Sequence, residues 1–421
     1  MKVAVHRITR LCGGLALAWC LGAQAQSVPG ATLAGLLAWA REGNPEFAAM
    51  RYEVEAAAER VDPAGALPDP RLRTELMDVT KGGSQSPALS PGRVASTRYT
   101  LMQELPWYGK RDLRRALAEA DREGTRERAA ATWREIAGKI KTSYAQLYYQ
   151  TRNEALTREI LDLMQRLESI AQVRYAGGLA AQQDVIRAQL EQTAMRNDLI
   201  MLETEHHHLT TRLNTLLGRP PGAPLALPEV LRPVPERLDY AELAVRTQAA
   251  NPQLAGEEQR ILAAEKGREL AYMNRYPDLT VGLVPNQVQS EVKQWDLMVE
   301  VNIPLQQGVR RAQEREAEAM LSATRARRDN TLSQLLADLV TQLSELEAAR
   351  RSERLTANNL LPQAELTFKA ALAGYETGKV DFATLLDAQR QIRQARLGLL
   401  RSRTEMQVRL AEIERIIGED L

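Results

Sequence analysis

The chain has 421 residues, 55 Lys+Arg against 54 Asp+Glu, and two cysteines, which both lie in the first twenty residues. Balanced charge argues against a nucleic-acid-binding protein, and the cysteine count excludes a disulfide scaffold or a thiolate metal site. Only three Phe and five Trp accompany abundant Ala, Leu, Arg, Glu and Gln, a composition typical of long helices.

Residues 1–25 are predicted to be a secretory signal peptide. Three basic residues precede the apolar run Leu11–Leu21, and Ala23-Gln24-Ala25 forms an A-x-A cleavage site. The mature chain then begins at Gln26 and contains no cysteine. An alternative is a lipoprotein signal with lipidation at Cys20, although Trp19 stands where a small residue is expected.

The first repeat, residues 26–218, is predicted to contain helices over about 44–64, 109–176 and 182–218 and strands over about 71–79 and 95–105. No proline interrupts Gly109–Ala176, so a helix there would be about 100 Å long at 1.5 Å per residue. A helix of that length requires coiled-coil partners. A proline-rich linker at 219–236 follows.

The second repeat, residues 237–421, is predicted to contain helices over about 252–275, 308–377 and 382–418 and strands over about 279–284 and 295–303. Its sequence matches the first repeat at an offset of 200: Tyr175 with Tyr375, Gly178 with Gly378, and Gly218 with Gly418. Asn44-Pro45 corresponds to Asn251-Pro252 at a slightly shifted offset. The mature chain is therefore one unit, duplicated. Pro362 predicts a local kink in the long helix.

The four predicted strands leave two possibilities open. Four strands are too few to close a barrel, and an open sheet edge in lipid would leave backbone groups unsatisfied. The hairpins therefore form a small soluble sheet, or several chains pool their strands into one barrel. No apolar run of about 20 residues follows the signal, so no transmembrane helix is expected.

The duplicated Tyr-x-x-Gly turns, each followed by a segment that contains Asp184 or Asp387, resemble the TolC-like outer membrane efflux protein family. The resemblance covers roughly residues 32–418, and the segments 66–72 and 103–116 resemble its CzcC-like heavy-metal branch. It implies a mainly α fold with a small β part. Three chains would form a homotrimer with a 12-stranded outer-membrane β-barrel and a long periplasmic α-barrel of coiled-coil helices. The linker would lie in an equatorial girdle, and the loops 81–92 and 285–293 would face outside the cell.

The resemblance also implies roles for the two turns. As the tips of the helical hairpins they would contact a periplasmic adaptor protein, through Tyr175, Gly178, Leu179, Gly378 and Lys379. The channel gate would lie just beyond, at Asp184 and Asp387, with Tyr375 holding the tip helices closed. Thr384 stands where the family has a further acidic residue. Both aspartates are also explained as helix N-terminal residues that favour the helix dipole.

Metal and catalytic sites are not predicted. His206-His207-His208 point about 100° apart on a helix, so only a pair such as Glu203 with His207 could share an ion. No nucleophile–base constellation is present, so the chain is not expected to be an enzyme, and no cofactor is predicted.

Two classes of function follow. The first is the passive outer-membrane exit duct of a tripartite efflux pump, driven by an inner-membrane proton-coupled RND-type transporter. Its substrates would be heavy-metal cations (Co/Zn/Cd or Cu/Ag) or, alternatively, drugs, organic toxins or polypeptides. The second is a soluble periplasmic coiled-coil adaptor or scaffold.

Overall fold

The computed structural model describes residues 28–80, 89–91, 94–288 and 291–421. The predicted signal peptide, with Cys20, and most of the loop 81–92 lie outside these residues. Among the described residues, no helix combines the length and apolarity needed to cross a membrane.

Each repeat contains short helices, a β-hairpin, a long helix and a return helix. The first repeat comprises α1 Leu33–Gly43, α2 Pro45–Ala58, α3 Val61–Gly65, β1 Arg71–Met77, β2 Ser96–Leu105, α4 Lys110–Ala176 and α5 Gln182–Leu216. The second comprises α6 Tyr240–Ala250, α7 Pro252–Met273, β3 Leu279–Val288, β4 Glu291–Val301, α8 Gln307–Leu355, a π-helical turn Thr356–Leu360, α9 Leu361–Glu376 and α10 Phe382–Ile417.

The expected mainly helical fold with four strands is confirmed. The strands form one antiparallel sheet in the order β1-β2-β3-β4, so each repeat supplies one hairpin. The two hairpins join where β2 pairs with β3, with Leu105 opposite Leu279. Strands β1 and β4 are the free edges of this sheet.

Several element bounds differ from the sequence prediction. Helices α1 and α6 were not predicted; each is short and begins at a side-chain N-cap, Thr32 or Asp239. The helix expected at 44–64 is two helices, because Pro63 fits only in the first turn of α3.

The second hairpin is longer than the predicted strands 279–284 and 295–303. Strand β3 continues through Pro285 to Val288, and β4 begins at Glu291, so this part of the expected loop 285–293 is strand. Pro285 is tolerated because the pairing of β2 with β3 skips residues 284 and 285. The proline therefore does not have to donate a hydrogen bond to β2.

The π-helical turn Thr356–Leu360 marks an extra residue in the second repeat. Gly109 corresponds to Gly308, an offset of 199, whereas Tyr175 corresponds to Tyr375, an offset of 200. A π turn accommodates one inserted residue without ending a helix. It lies directly before Pro362, where a kink was predicted.

The same contact between an asparagine side chain and the end of the return helix occurs once in each repeat. Asn44 caps α2, where its Oδ1 accepts the Phe47 N–H at 2.9 Å, and its Nδ2 donates to the Leu216 carbonyl at 2.7 Å. Asn251 caps α7 through Leu254 N–H at 3.0 Å and donates to the Ile416 carbonyl at 2.6 Å. Each asparagine thus joins the start of one helix to the end of the return helix.

A glycine follows each of these return helices. Gly218 has φ 68° and Gly418 has φ 83°, left-handed values that favour glycine. A Cβ atom at either position would clash with the backbone that precedes the asparagine, at Gly43 or Ala250. The matched Asn-Pro and Gly positions of the sequence are therefore one structural contact.

A buried ionic cluster connects both repeats to the linker. Glu414 of α10 accepts hydrogen bonds from Lys141 of α4 at 2.8 Å and from both Nη atoms of Arg232 at 2.6 and 2.7 Å. Glu414 and Lys141 are both buried. Removal of Glu414 would take the shared carboxylate away from both Lys141 and Arg232, which is strongly destabilising.

We expect Asn251→Ala to destabilise the protein by about 2 kcal/mol, because it removes a helix cap and leaves the Ile416 carbonyl without its amide donor. Denaturant unfolding measures this change. The control is Asn330→Ala at an exposed position of α8, which should change stability by less than about 0.5 kcal/mol. Equal stability of the two variants would show that the hydrogen bonds of Asn251 do not stabilise the protein.

Candidate functional site

One face of the sheet is largely apolar. The strand registers place Leu72, Leu101, Leu283 and Leu297 in one row across all four strands. All four leucines are exposed, as are Trp295, Val299 and Val301 on the same face of β4. An exposed apolar face of this extent requires a covering medium or partner.

The opposite face of the sheet is polar. Arg98 donates through Nε to Asn286 Oδ1 at 3.2 Å, and Asn286 Nδ2 donates to Asp296 Oδ2 at 2.6 Å. Arg98 also pairs with Glu75 at 3.7 Å. Alternation between an apolar and a polar face is the pattern of a strand between lipid and an aqueous lumen.

The other end of the molecule carries the two hairpin turns. Gly178 and Gly378 adopt φ values of 72° and 74°. The next residue in each turn donates to a carbonyl of the last helical turn: Leu179 N–H to Arg174 and Lys379 N–H to Gly374, both at 2.8 Å. The two turns therefore have the same backbone conformation. The side chains of Leu179 and Lys379 are exposed.

The two tyrosines of the duplicated turns lie in different environments. Tyr375 is buried, and its ring packs against Phe382 with centroids 5.3 Å apart. Tyr175 is exposed. Among the described residues the Tyr375 hydroxyl has no hydrogen-bond partner. Its ring, rather than its hydroxyl, therefore holds it at the tip.

Arg174 bridges the two tips, a role that the sequence prediction did not include. Its guanidinium lies 5.0 Å from the centroid of the Tyr375 ring, and Nη1 donates to the Glu376 carbonyl at 2.7 Å. The corresponding residue in the second repeat is Gly374. This departure from the repeat was the signal in the sequence that could have identified Arg174.

Asp184 lies beside this group, in the first turn of α5. Partial burial raises the pKa of its carboxyl; Arg187 opposes the rise and the nearby Asp381 adds to it. The charge of Asp184 in turn contributes to the raised pKa of Tyr375, whose main cause is burial. The carboxyl of Asp184 therefore lies within electrostatic reach of the Tyr375 hydroxyl.

Asp387 lies apart from that pair. It is an exposed residue of α10, beyond the first helical turn, and pairs with Arg390 at 3.6 Å. The helix-dipole explanation therefore fits Asp184 but not Asp387. Thr384 lies near the α10 N-terminus, where its N–H donates to the capping Asp381 at 2.9 Å.

The histidine triplet lies on α5, with His207 and His208 exposed. Among the described residues, no group of three or more His, Cys, Asp or Glu side chains is arranged to hold an ion. His208 faces Glu205 at 3.8 Å, which is a single helix-surface pair.

Comparison with known proteins identifies relatives over nearly the whole chain. The family model described as "Outer membrane efflux protein" matches residues 36–219 and 243–419, which correspond to the two repeats. The chain is 27% identical over 403 residues to the cobalt-zinc-cadmium resistance protein CzcC of Cupriavidus metallidurans, covering 92% of this chain and 90% of that protein.

Solved structures show the same fold. The outer-membrane channel OprN superposes with a TM-score of 0.78 at 20% identity, covering 92% of this chain and 89% of OprN. CusC superposes with a TM-score of 0.79 at 18% identity, covering 92% of each chain. At these identities the likeness concerns the fold.

We expect Tyr375→Phe to be as stable as the wild type or more stable at neutral pH, because it removes a buried hydroxyl without a partner. Unfolded tyrosine ionises near pH 10, whereas burial keeps folded Tyr375 neutral, so the wild type loses stability as pH rises above about 10. The advantage of Tyr375→Phe should grow there. Thermal unfolding against pH measures it.

The control is Tyr175→Phe at the exposed corresponding position, for which we expect no change at neutral pH. Tyr375→Ala removes the ring itself and should cost about 3 kcal/mol or more. If Tyr375→Phe destabilised the protein as much as Tyr375→Ala does, the hydroxyl would be the important group.

Proposed function

The chain belongs to the outer membrane efflux protein family, and we propose that it is the exit duct of a tripartite pump for heavy-metal cations. The family places it in the outer membrane as an efflux channel with a long periplasmic helical extension. An outer-membrane location favours a barrel formed by the strands of several chains over a small soluble sheet. The soluble adaptor or scaffold is accordingly not retained.

The observation that carries the channel proposal is the two-faced sheet with free edges. The row Leu72, Leu101, Leu283 and Leu297 suits contact with lipid, and the polar face suits an aqueous lumen. Because the edge strands β1 and β4 need partners, three copies would close a barrel of twelve strands. The duct itself is passive, and an inner-membrane transporter supplies the energy.

Metal cations are favoured as substrate by the similarity to CzcC, whose name records cobalt, zinc and cadmium resistance. That similarity extends over both repeats rather than over one motif. Drugs, organic toxins or polypeptides are the alternative substrates for the same duct. Selectivity would reside in the inner-membrane transporter.

We place the gate at the tip, where Asp184 lies within electrostatic reach of Tyr375 and Asp387 is exposed on α10. In a trimer Asp387 would form a ring of three carboxylates, which attracts cations. Arg390 balances part of that charge. A periplasmic adaptor would dock on the exposed turn residues Leu179 and Lys379, whose shape depends on Gly178 and Gly378.

Deletion of the gene tests the substrate. We expect increased sensitivity to zinc, cobalt, cadmium, copper or silver, because the duct is the exit route, and unchanged sensitivity to dyes and antibiotics. Growth on a graded metal panel, with the wild-type gene restored as control, measures this. The opposite pattern would assign the duct to organic toxins.

Leu297→Arg tests the membrane-facing surface. We expect loss of assembled outer-membrane protein, because a charge on the lipid face costs about 2–4 kcal/mol near the bilayer midplane. Fractionation and native gels measure the yield. Glu300→Gln, on the opposite face of the same strand, is the control and should assemble normally.

Asp387→Ala tests the gate. Loss of the carboxylate should weaken the effect of divalent cations on single-channel conductance in planar bilayers, because the negative ring is removed. If divalent cations affected the conductance of Asp387→Ala as they affect that of the wild type, Asp387 would have no role in the gate.

A further inference from the structure

Two methionines lie in one row on the polar face of the sheet. Met102 of β2 pairs with Gly282 of β3, and Gly282 pairs with Met298 of β4. Residues that pair directly across an antiparallel ladder have their side chains on the same face. Because side chains alternate along a strand, Met102 is on the face that carries Arg98. The row is therefore part of the face that suits an aqueous lumen.

The glycine between the two methionines allows their side chains to approach each other. Two strands apart, their Cα atoms are separated by about 10 Å, and a side chain on the middle strand would stand between them. A Cβ atom at Gly282 would lie 3.0 Å from the methyl carbon of Met298 and 3.4 Å from Cβ of Met102. The thioether end of Met298 therefore reaches over the buried Gly282, towards Met102.

The ligand atoms of this row suit a soft cation. Thioether sulfur is a soft, uncharged ligand that favours Cu(I), and Ag(I) has the same closed d shell and similar softness. Both ions form complexes with two ligands in a line, so a pair of thioethers is a sufficient ligand set. Zinc and cobalt favour imidazole nitrogen, and none of the four strands contains a histidine.

Carboxylates lie beside the methionines, in the next row towards the helices. Glu104 pairs with Thr280, and Thr280 pairs with Glu300, so both glutamates share the face of the methionines. Glu104 contacts Arg71 at 3.8 Å, and Glu300 is exposed. Negative charge raises the local concentration of cations. A cation that leaves the helical part of the duct would meet these carboxylates just before the thioethers.

We propose that Met102 and Met298 bind a soft monovalent cation, Cu(I) or Ag(I), on the lumen face of the sheet. Three copies would place three such pairs at one height of the barrel. Two uncharged ligands hold the cation weakly enough for release, as conduction requires. The proposal rests on the proposed duct for the passage of the cation, and it favours copper or silver among the metal substrates. The inner-membrane transporter still selects the substrate.

Silver binding to the purified full-length protein tests the pair. Silver nitrate is titrated in chloride-free buffer, and equilibrium dialysis gives the affinity and the number of ions bound per chain. The test variants are Met102→Leu, Met298→Leu and the double variant, because leucine nearly conserves the volume and apolar character of methionine. The matched control is Met77→Leu, since Met77 lies on the same face of β1 but opposite Ser96.

We expect the wild type and Met77→Leu to bind Ag(I) with equal affinity and the double variant to bind it roughly tenfold more weakly, because both soft ligands are lost. Each single variant should also bind more weakly than the wild type. Binding of Zn²⁺ should be the same in all of these proteins. X-ray absorption of the silver-loaded wild type should show sulfur neighbours that the double variant lacks.

Gly282→Ala tests the spacing while it keeps both thioethers. The added Cβ would displace the methyl group of Met298, so we expect weaker Ag(I) binding than in the wild type. Native gels check that the variant still assembles. Wild-type affinity in an assembled Gly282→Ala protein would contradict a site formed by the two methionines across the glycine.

Equal Ag(I) affinity of the wild type and the double variant would refute the site, and the methionines would then only fill the space above Gly282. Growth tests separate this result from failure of the duct. A strain that carries the double variant should become more sensitive to silver and copper and remain unchanged on zinc and cobalt. Unchanged sensitivity to silver and copper would refute a role of the site in transport.

Deletion of the whole gene gives the remaining distinction. If deletion left sensitivity to every metal unchanged while the purified protein bound Ag(I) through the pair, the metal-efflux function would be refuted and the binding site would stand. If deletion caused metal sensitivity while the double variant bound Ag(I) like the wild type, the duct would stand and the site would be refuted.

Discussion

Both halves of the chain depend on one repeated contact, in which an asparagine before a proline caps one helix and binds the last carbonyls of another. Asn44 and Asn251 make the same two hydrogen bonds, and Gly218 and Gly418 permit the close backbone approach beside them. Because each buried amide satisfies a donor and an acceptor at once, it connects the start of one helix to the end of another.

Duplication makes the two repeats alike in backbone and different in surface. The core positions Ile136, Ile140 and Leu147 correspond to Leu335, Leu339 and Leu346, and all are buried. Toward the tips the correspondence remains while burial diverges, as at Tyr175 and Tyr375.

Much of the fold could be predicted because it follows from local rules. The absence of proline in Gly109–Ala176 predicts the long helix α4, and the period of two in β4 predicts its apolar face. Helices α1 and α6 were missed because they are short and depend on packing against longer helices. The extension of β3 through Pro285 was missed because it depends on where the neighbouring strand pairs. Arg174 was missed because its partners lie about 200 residues away in the sequence.

The sequence alone determined the class of protein: an exported, duplicated chain of long helices with two hairpins that resembles efflux channels. Periodicity, proline placement and internal repetition are sufficient for this, because they act on neighbouring residues. Only the tertiary structure decided that Asp184 lies within electrostatic reach of Tyr375 while Asp387 is exposed and pairs with Arg390, and that Arg174 links the tips. Burial and long-range contacts set those relations, and identical sequence positions in two repeats have different neighbours. The same residue type is therefore core in one repeat and surface in the other.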